Sequence, residues 1–235
     1  MRQYFVDEKL NIGTIVSLQK NKHHIKDVLR MKNDDLIRLV DIDHQVFLSR
    51  LIINEEVNAE VIEKLNQNEN EKEIIYCAAM IKKDNWEYVL QKATELGATT
   101  IVPLITSRTI IHHDQKDIDK KLERYNKIVQ TAMQQSNRSD SCQVVYPIKL
   151  KDINLYKADI NLLAYEANKK NYIKNYLEKD KSICFVIGPE GGFEQKEVDL
   201  LKEYGFITVN LGSRILRAET AGLYILSIID SVRNS

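Results

Sequence analysis

Leu211-Gly212-Ser213-Arg214-Ile215-Leu216-Arg217-Ala218-Glu219-Thr220-Ala221-Gly222 joins one apolar run, Phe206 to Leu211, to another, Ala221 to Val232. A strand-to-helix turn needs a glycine and a capping residue. It does not need two arginines three positions apart. Arg214 and Arg217 offer planar, permanently charged donors suited to a phosphate or an electron-rich base. The plainer alternative is an ion pair with Glu190 or Glu219. Glu219 and Thr220 read as caps of the last helix that also face a pocket.

Working outward, Ile183 to Ile187 is an apolar strand followed by Gly188-Pro189-Glu190-Gly191-Gly192-Phe193 and a helix from Gln195 to Tyr204. Glycines there permit close approach of backbone to a ligand. No Gly-Lys-Ser/Thr follows and G-x-G-x-x-G spacing is missing, so neither dinucleotide nor P-loop chemistry is indicated. A tight turn is the alternative. In parallel sheets, ligands bind beyond the carboxyl ends of strands, so two such loops together predict one pocket.

The same alternation runs back to residue 74. Strands are predicted at Ile74 to Met80, Thr99 to Ile105, Gln143 to Ile148, Ile160 to Tyr165 and Phe206 to Leu211. Helices are predicted from Asp84 to Leu96, with Asp84 as cap, and from Ile118 to Gln135. Strands alternating with helices imply a parallel α/β sheet with helices on both faces.

Residues 1–65 read differently, as short strands and turns. Leu36 to Val40 and Val46 to Ile52 predict a hairpin, and Lys22 to Arg30 a helix, within a small β-barrel. Asn66 to Glu73 is wholly polar and reads as a linker. The predicted domains are therefore 1–70 and 71–235.

The 235 residues carry 34 basic and 34 acidic side chains. Zero net charge argues against a uniformly basic nucleic-acid binder and leaves room for a local patch. Lys22, His23, His24, Lys26 and Arg30 form one such cluster, with a solvated helix face as the alternative. Gln134-Gln135-Ser136-Asn137-Arg138 is a second polar candidate, or simply a helix C-terminus. Cys77, Cys142 and Cys184 are widely spaced and lack metal-ligand spacing, and His112-His113 has no third ligand, so no metal is expected. Few cysteines, no signal-like start and no membrane-length apolar run predict a soluble cytoplasmic protein. No Ser-His-Asp order or paired acids appear, which favours group transfer by positioning and electrostatics.

The segments 187–193 and 211–221 together closely resemble the RsmE family of ribosomal RNA small-subunit methyltransferases, members of the SPOUT superfamily that modify uridine at N3. Lys92-Ala93-Thr94-Glu95-Leu96-Gly97 with Pro103, Gln135-Ser136-Asn137-Arg138, and His23-His24 followed by Val28-Leu29-Arg30 match in order. The resemblance implies an α/β SPOUT domain with a trefoil knot, preceded by a PUA-like β-barrel that helps bind RNA. It also implies a homodimer with the active site at its interface, 16S ribosomal RNA as partner, and S-adenosylmethionine as cofactor.

On that resemblance the expected cofactor-binding residues are Leu163, Tyr165, Glu166, Ile187, Gly188, Pro189, Glu190, Gly191, Gly192, Leu211, Gly212, Ile215, Leu216, Glu219 and Thr220. The expected catalytic residues are Arg217, Arg214 and Arg138, the last reaching across the dimer. RNA contacts are expected at Arg2, His24, Arg30, Lys83, Gln135 and Arg138. The chain departs from the family pattern at Glu194, where Ser is common and caps better, at Gln134, and at Asn85, near a position often basic. Two other readings stay open: an RNA-binding protein that keeps the fold without catalysis, and a related enzyme with another RNA target. A phosphate-bearing nucleotide at the glycine loop is disfavoured by the missing Lys and magnesium ligands.

Overall fold

In the computed structural model, residues 1–66, 72–81, 83–109, 115–166 and 170–235 are described, with backbone alone at Lys83, Asp84, Gln115 and Lys116. Most of the linker, the His112-His113 pair and the expected Asp84 cap lie outside these described parts. The chain divides into two compact units, 1–70 with 133–141 and 71–132 with 142–235. The expected cut at residue 70 did not include the return of 133–141 to the first unit.

The first unit is a five-stranded sheet. Its strands are β1 (Arg2–Phe5), β2 (Ile15–Ser17), β3 (Leu36–Val40), β4 (Val46–Ile53) and β5 (Val57–Lys64), in the order β1-β3-β4-β5-β2. β3 and β4 form the expected antiparallel hairpin, and β1 lies parallel to β3. Alternation drives the folding here. Ile37, Leu39, Leu51, Ala59 and Val61 point to one face and are fully buried with Tyr4 and Ile25, as period-two patterning requires. The helix expected over Lys22–Arg30 forms over most of that span: residues 19–28 are helical without a break, a 3-10 turn at Gln19–Asn21 leading into a wider turn at His24–Val28, and the helix stops two residues short of Arg30. Arg30 adopts a left-handed φ of 52°, which a continuing helix does not accept.

The second unit is a seven-stranded sheet of β6 (Ile74–Ala79), β7 (Thr100–Ile105), β8 (Gln143–Val144), β9 (Ile148–Lys149), β10 (Ile160–Ala164), β11 (Ile183–Ile187) and β12 (Ile207–Val209). The strands run β12-β10-β11-β6-β7-β8, with β9 also paired to β7, and every pairing is parallel. The helices are α1 (Lys83–Glu95), α2 (Gln115–Ser136), α3 (Gln195–Glu203) and α4 (Ala218–Arg233). The strand expected over Gln143 to Ile148 is two short pieces, because Pro147 between them has no N–H to donate. The strand expected over Phe206 to Leu211 covers only Ile207–Val209, and the last helix begins three residues early, at Ala218.

β6 and β11 are continuous apolar strands, as central parallel strands should be. Cys77 and Cys184 lie on them, fully buried, with Sγ atoms 3.7 Å apart as free thiols. Burial pushes the Cys77 thiol up, so it packs as a small hydrophobe. Tyr76 stacks on Phe185 with ring centroids 4.7 Å apart. The Tyr76 hydroxyl enters a gap in α4 that exists only because residue 222 is Gly: a Cβ there would lie 2.1 Å from it. No helix among the described residues is long and apolar enough to cross a membrane.

Candidate active site

The strand order explains why loops far apart in sequence share one cavity. β12, β10, β11, β6 and β7 are successive neighbours and all parallel, so their carboxyl ends lie at one edge of the sheet. The loop after β12 carries the arginines, the loop after β11 carries the glycines, and β10 runs between them, followed directly by Tyr165 and Glu166. A cavity of about 1100 Å³ opens there.

The glycine loop is held from several sides. Gly192, at φ 68°, donates its N–H to the Pro189 carbonyl at 2.8 Å. The Phe193 ring folds over Gly188 so closely that a Cβ there would lie 2.8 Å from it. Glu194, the weak N-cap, is compensated by the third helical residue: Glu197 Oε2 accepts the Glu194 N–H at 2.9 Å, half of a capping box. The Lys196 ammonium, bonded to the Glu194 carboxylate at 2.8 Å, holds that carboxyl below its usual range.

The arginine loop is supported mainly at its start. Asn210 donates its N–H to the Asn171 carbonyl at 2.7 Å, and its side-chain Oδ1 accepts the Gly212 N–H at 2.5 Å. Beyond that the loop opens: Gly212 sits at φ 127° with nothing near its Cα face, and Ile215 is 88% exposed. Among the described residues neither Arg214 nor Arg217 makes an ion pair. The alternative of a salt bridge to Glu190 or Glu219 is therefore not what the structure has. Arg217 is the N-cap residue of α4, and Glu219 and Thr220 lie inside its first turn. Their expected role as caps is corrected accordingly, although a carboxylate in the first turn still complements the helix dipole. Burial pushes the Tyr76 hydroxyl above the usual phenol range, with the Glu219 carboxylate adding to the shift.

Of the residues expected on the cofactor side, Tyr165, Glu166, Ile187 to Gly192, Leu211, Gly212, Ile215, Leu216 and Glu219 line the cavity, as do Arg214 and Arg217. Leu163 does not: it is fully buried in the sheet core, and its neighbour Ala164 takes the wall position. Strand alternation sends successive side chains to opposite faces. Thr220 is exposed and outside the lining. Arg138 belongs to the first unit, where the Asp140 carboxylate accepts from its Nε at 2.8 Å and from Nη2, and where its carbonyl accepts from Gln3 Nε2 at 2.5 Å. Arg2, His24, Arg30 and Gln135 are exposed, His24 lying 3.3 Å from the Tyr4 hydroxyl through Nδ1. The Lys83 side chain is outside the described parts. Met80, Ile81, Asn85, Arg108, Tyr172 and Phe193 also line the cavity and were not expected. Phe193 ends the glycine loop itself; the others come from the ends of β6 and β7, from α1 and from a bridge beside β12, and no local pattern places them at the cavity.

This architecture defines a class, and the comparisons agree with it. Residues 68–230 match the family model of an RNA methyltransferase domain, and residues 19–62 that of an RNA methyltransferase PUA domain. The ribosomal RNA small subunit methyltransferase E of Mesomycoplasma hyopneumoniae is 33% identical over 97% of this chain and 98% of its own. That of Bacillus subtilis is also 33% identical, over 97% and 96%. The crystal structure of a ribosomal RNA small subunit methyltransferase E from Neisseria gonorrhoeae, bound to S-adenosyl methionine, superposes with a TM-score of 0.87 at 29% identity, over 99% of this chain and 98% of that one. The chain belongs to the ribosomal RNA small subunit methyltransferase E family, with a mixed α/β domain built on a parallel sheet and an N-terminal PUA-like domain.

Proposed function

We propose that the protein transfers the methyl group of S-adenosylmethionine to N3 of one uridine in the 16S ribosomal RNA of the small subunit, in the cytoplasm. The observation that carries this is the cavity itself, with bare glycine backbone on one loop and, on the other, two arginines that make no ion pair among the described residues. Its residues suit the cofactor. Gly188 to Gly192 offer backbone groups without side chains, Ile187 and Leu216 offer apolar contact for an adenine, and Glu166 and Glu190 offer carboxylates to a cationic ligand. About 1100 Å³ exceeds what one small ligand usually occupies, leaving room for a nucleotide.

Bound there, S-adenosylmethionine would supply a methyl group activated on a sulfonium. The chain's own task is to orient the uracil and stabilise charge. Uridine N3 must lose its proton to become a nucleophile, which leaves negative charge over the ring oxygens. Arg217 and Arg214, which line the cavity, are the candidates to hold that charge, since donors aimed at developing charge account for much of catalysis. Leu163 and Thr220 keep at most an indirect part in cofactor binding.

The reading extends to a homodimer and to a trefoil knot in the second unit. The dimer is supported by α4, where Tyr224 is exposed and Leu223, Ile228 and Val232 are half-buried, and by the exposed Ile215 on the cavity rim. Arg138 would then act from a second copy of the chain. Arg2, His24, Arg30, Lys83 and Gln135 are proposed RNA contacts. The test is to map N3-methyluridine in 16S ribosomal RNA from cells with and without this protein, with purified small subunits as substrate in parallel. A modified uridine that persists in its absence would refute the assignment.

A further inference from the structure

We infer that Arg108 is a positioning residue for the cofactor side of the cavity, holding the glycine loop in shape from the end of β7. The inference rests on the reading above for what the loop binds. Arg108 belongs to a tight turn. Thr109 donates its N–H to the Thr106 carbonyl at 3.1 Å, and Thr109 Oγ1 accepts the Thr106 N–H at 2.9 Å. A buried carboxylate then ties that turn to the start of α3: Glu197 Oε1 accepts the Ser107 N–H at 2.8 Å, while its other oxygen accepts the Glu194 N–H at 2.9 Å. Glu197 is only 6% exposed. A carboxylate so buried needs such donors, and here both come from the two segments it joins.

With its backbone fixed in this way, Arg108 extends to the glycine loop and donates from Nη1 to the Gly191 carbonyl. The fit is close, since a Cβ on Gly191 would lie 3.3 Å from Arg108 Cδ. Among the described residues Arg108 makes no ion pair, although Glu190 and Glu194 flank the loop it holds. Its charge is applied to a backbone carbonyl, where a charged donor makes a stronger bond than a neutral one. Phe193 closes on Gly188 and Arg108 holds Gly191, so the loop is fixed at both ends.

The experiment uses the full chain, with S-adenosylmethionine and S-adenosylhomocysteine as calorimetric probes and small subunits as methyl acceptor. Arg108→Ala is expected to weaken binding of both probes about tenfold, the loss of one charge-assisted bond. KM for S-adenosylmethionine should rise in step, while kcat at saturating cofactor stays within about twofold. Arg108→Lys should recover part of the affinity. Glu197→Gln should shift affinity in the same direction, and the double variant should lose less than the two single losses multiplied, because both act through one loop. Amide exchange across Gly188–Phe193 should accelerate in Arg108→Ala without cofactor present. Unchanged probe affinity, or a fallen kcat with unchanged affinity, overturns the inference. If the wild-type chain binds neither probe, the methyltransferase reading fails instead, and the exchange rates alone then decide whether Arg108 holds the loop.

Discussion

The two loops that line the cavity are built by opposite means. The glycine loop is closed by its own turn, covered by Phe193, continued by a helix start that Glu197 completes, and held by Arg108. The arginine loop is tied at Asn210 and re-enters regular structure only at Ala218; between them Ile215 stands almost wholly in solvent. A ligand bound by backbone needs a loop that is already in place, since any ordering on binding is subtracted from affinity. On the proposed function the arginine loop would meet RNA and a second subunit, and those partners would complete it. One loop is organised in advance; on the proposed function the other would be organised by the substrate.

That contrast makes separable predictions. Arg217→Ala should lower turnover on small subunits about 100-fold or more, the usual cost of removing a donor to developing charge, while calorimetry finds cofactor affinity within about threefold of wild type. Equal losses in both would mean that the two loops do not divide the work. Gly222→Ala places a methyl group against the buried Tyr76 hydroxyl at the base of the arginine loop, and overpacking of that kind should cost about 2–3 kcal/mol, read as a lowered Tm. Gly192→Val forces a β-branched residue to φ 68°. It should cost about 1–3 kcal/mol and weaken cofactor binding. Gly212→Ala, at φ 127° but with open space around it, should cost about 1 kcal/mol of backbone strain alone. Ile215→Ser should leave thermal stability within about 0.5 kcal/mol, yet raise the dimer dissociation constant in sedimentation experiments. An unchanged dimer would remove Ile215 from the proposed contact.

The strand-to-helix passages at Ile187 to Gln195 and Val209 to Ala221 were legible because each is a local event. An apolar run ends, glycine and charge intervene, and a helical period begins. What the sequence does not display is adjacency. β10 lies between β11 and β12 although it precedes both, and that order alone brings Tyr165 and Glu166 between the two loops. Arg108 and Met80 arrive from β7 and β6 by the same rule, with no signal of their own. Leu163, expected on the resemblance, packs in the sheet core, and the next residue, Ala164, lines the cavity in its place. The helix expected at Lys22–Arg30 is present through Val28 and ends just before Arg30, whose positive φ a continuing helix does not accept. The ion pair of Arg138 with Asp140, two residues away, could have been weighed from spacing alone.

The most direct test of the account is transfer of a labelled methyl group from S-adenosylmethionine to purified small subunits that lack the modification, followed by nuclease digestion and mass spectrometry of the nucleosides. Label is predicted in N3-methyluridine, at one position in 16S ribosomal RNA, and lost with Arg217→Ala. Label in any other nucleoside, or none from a chain that binds the cofactor, would contradict it.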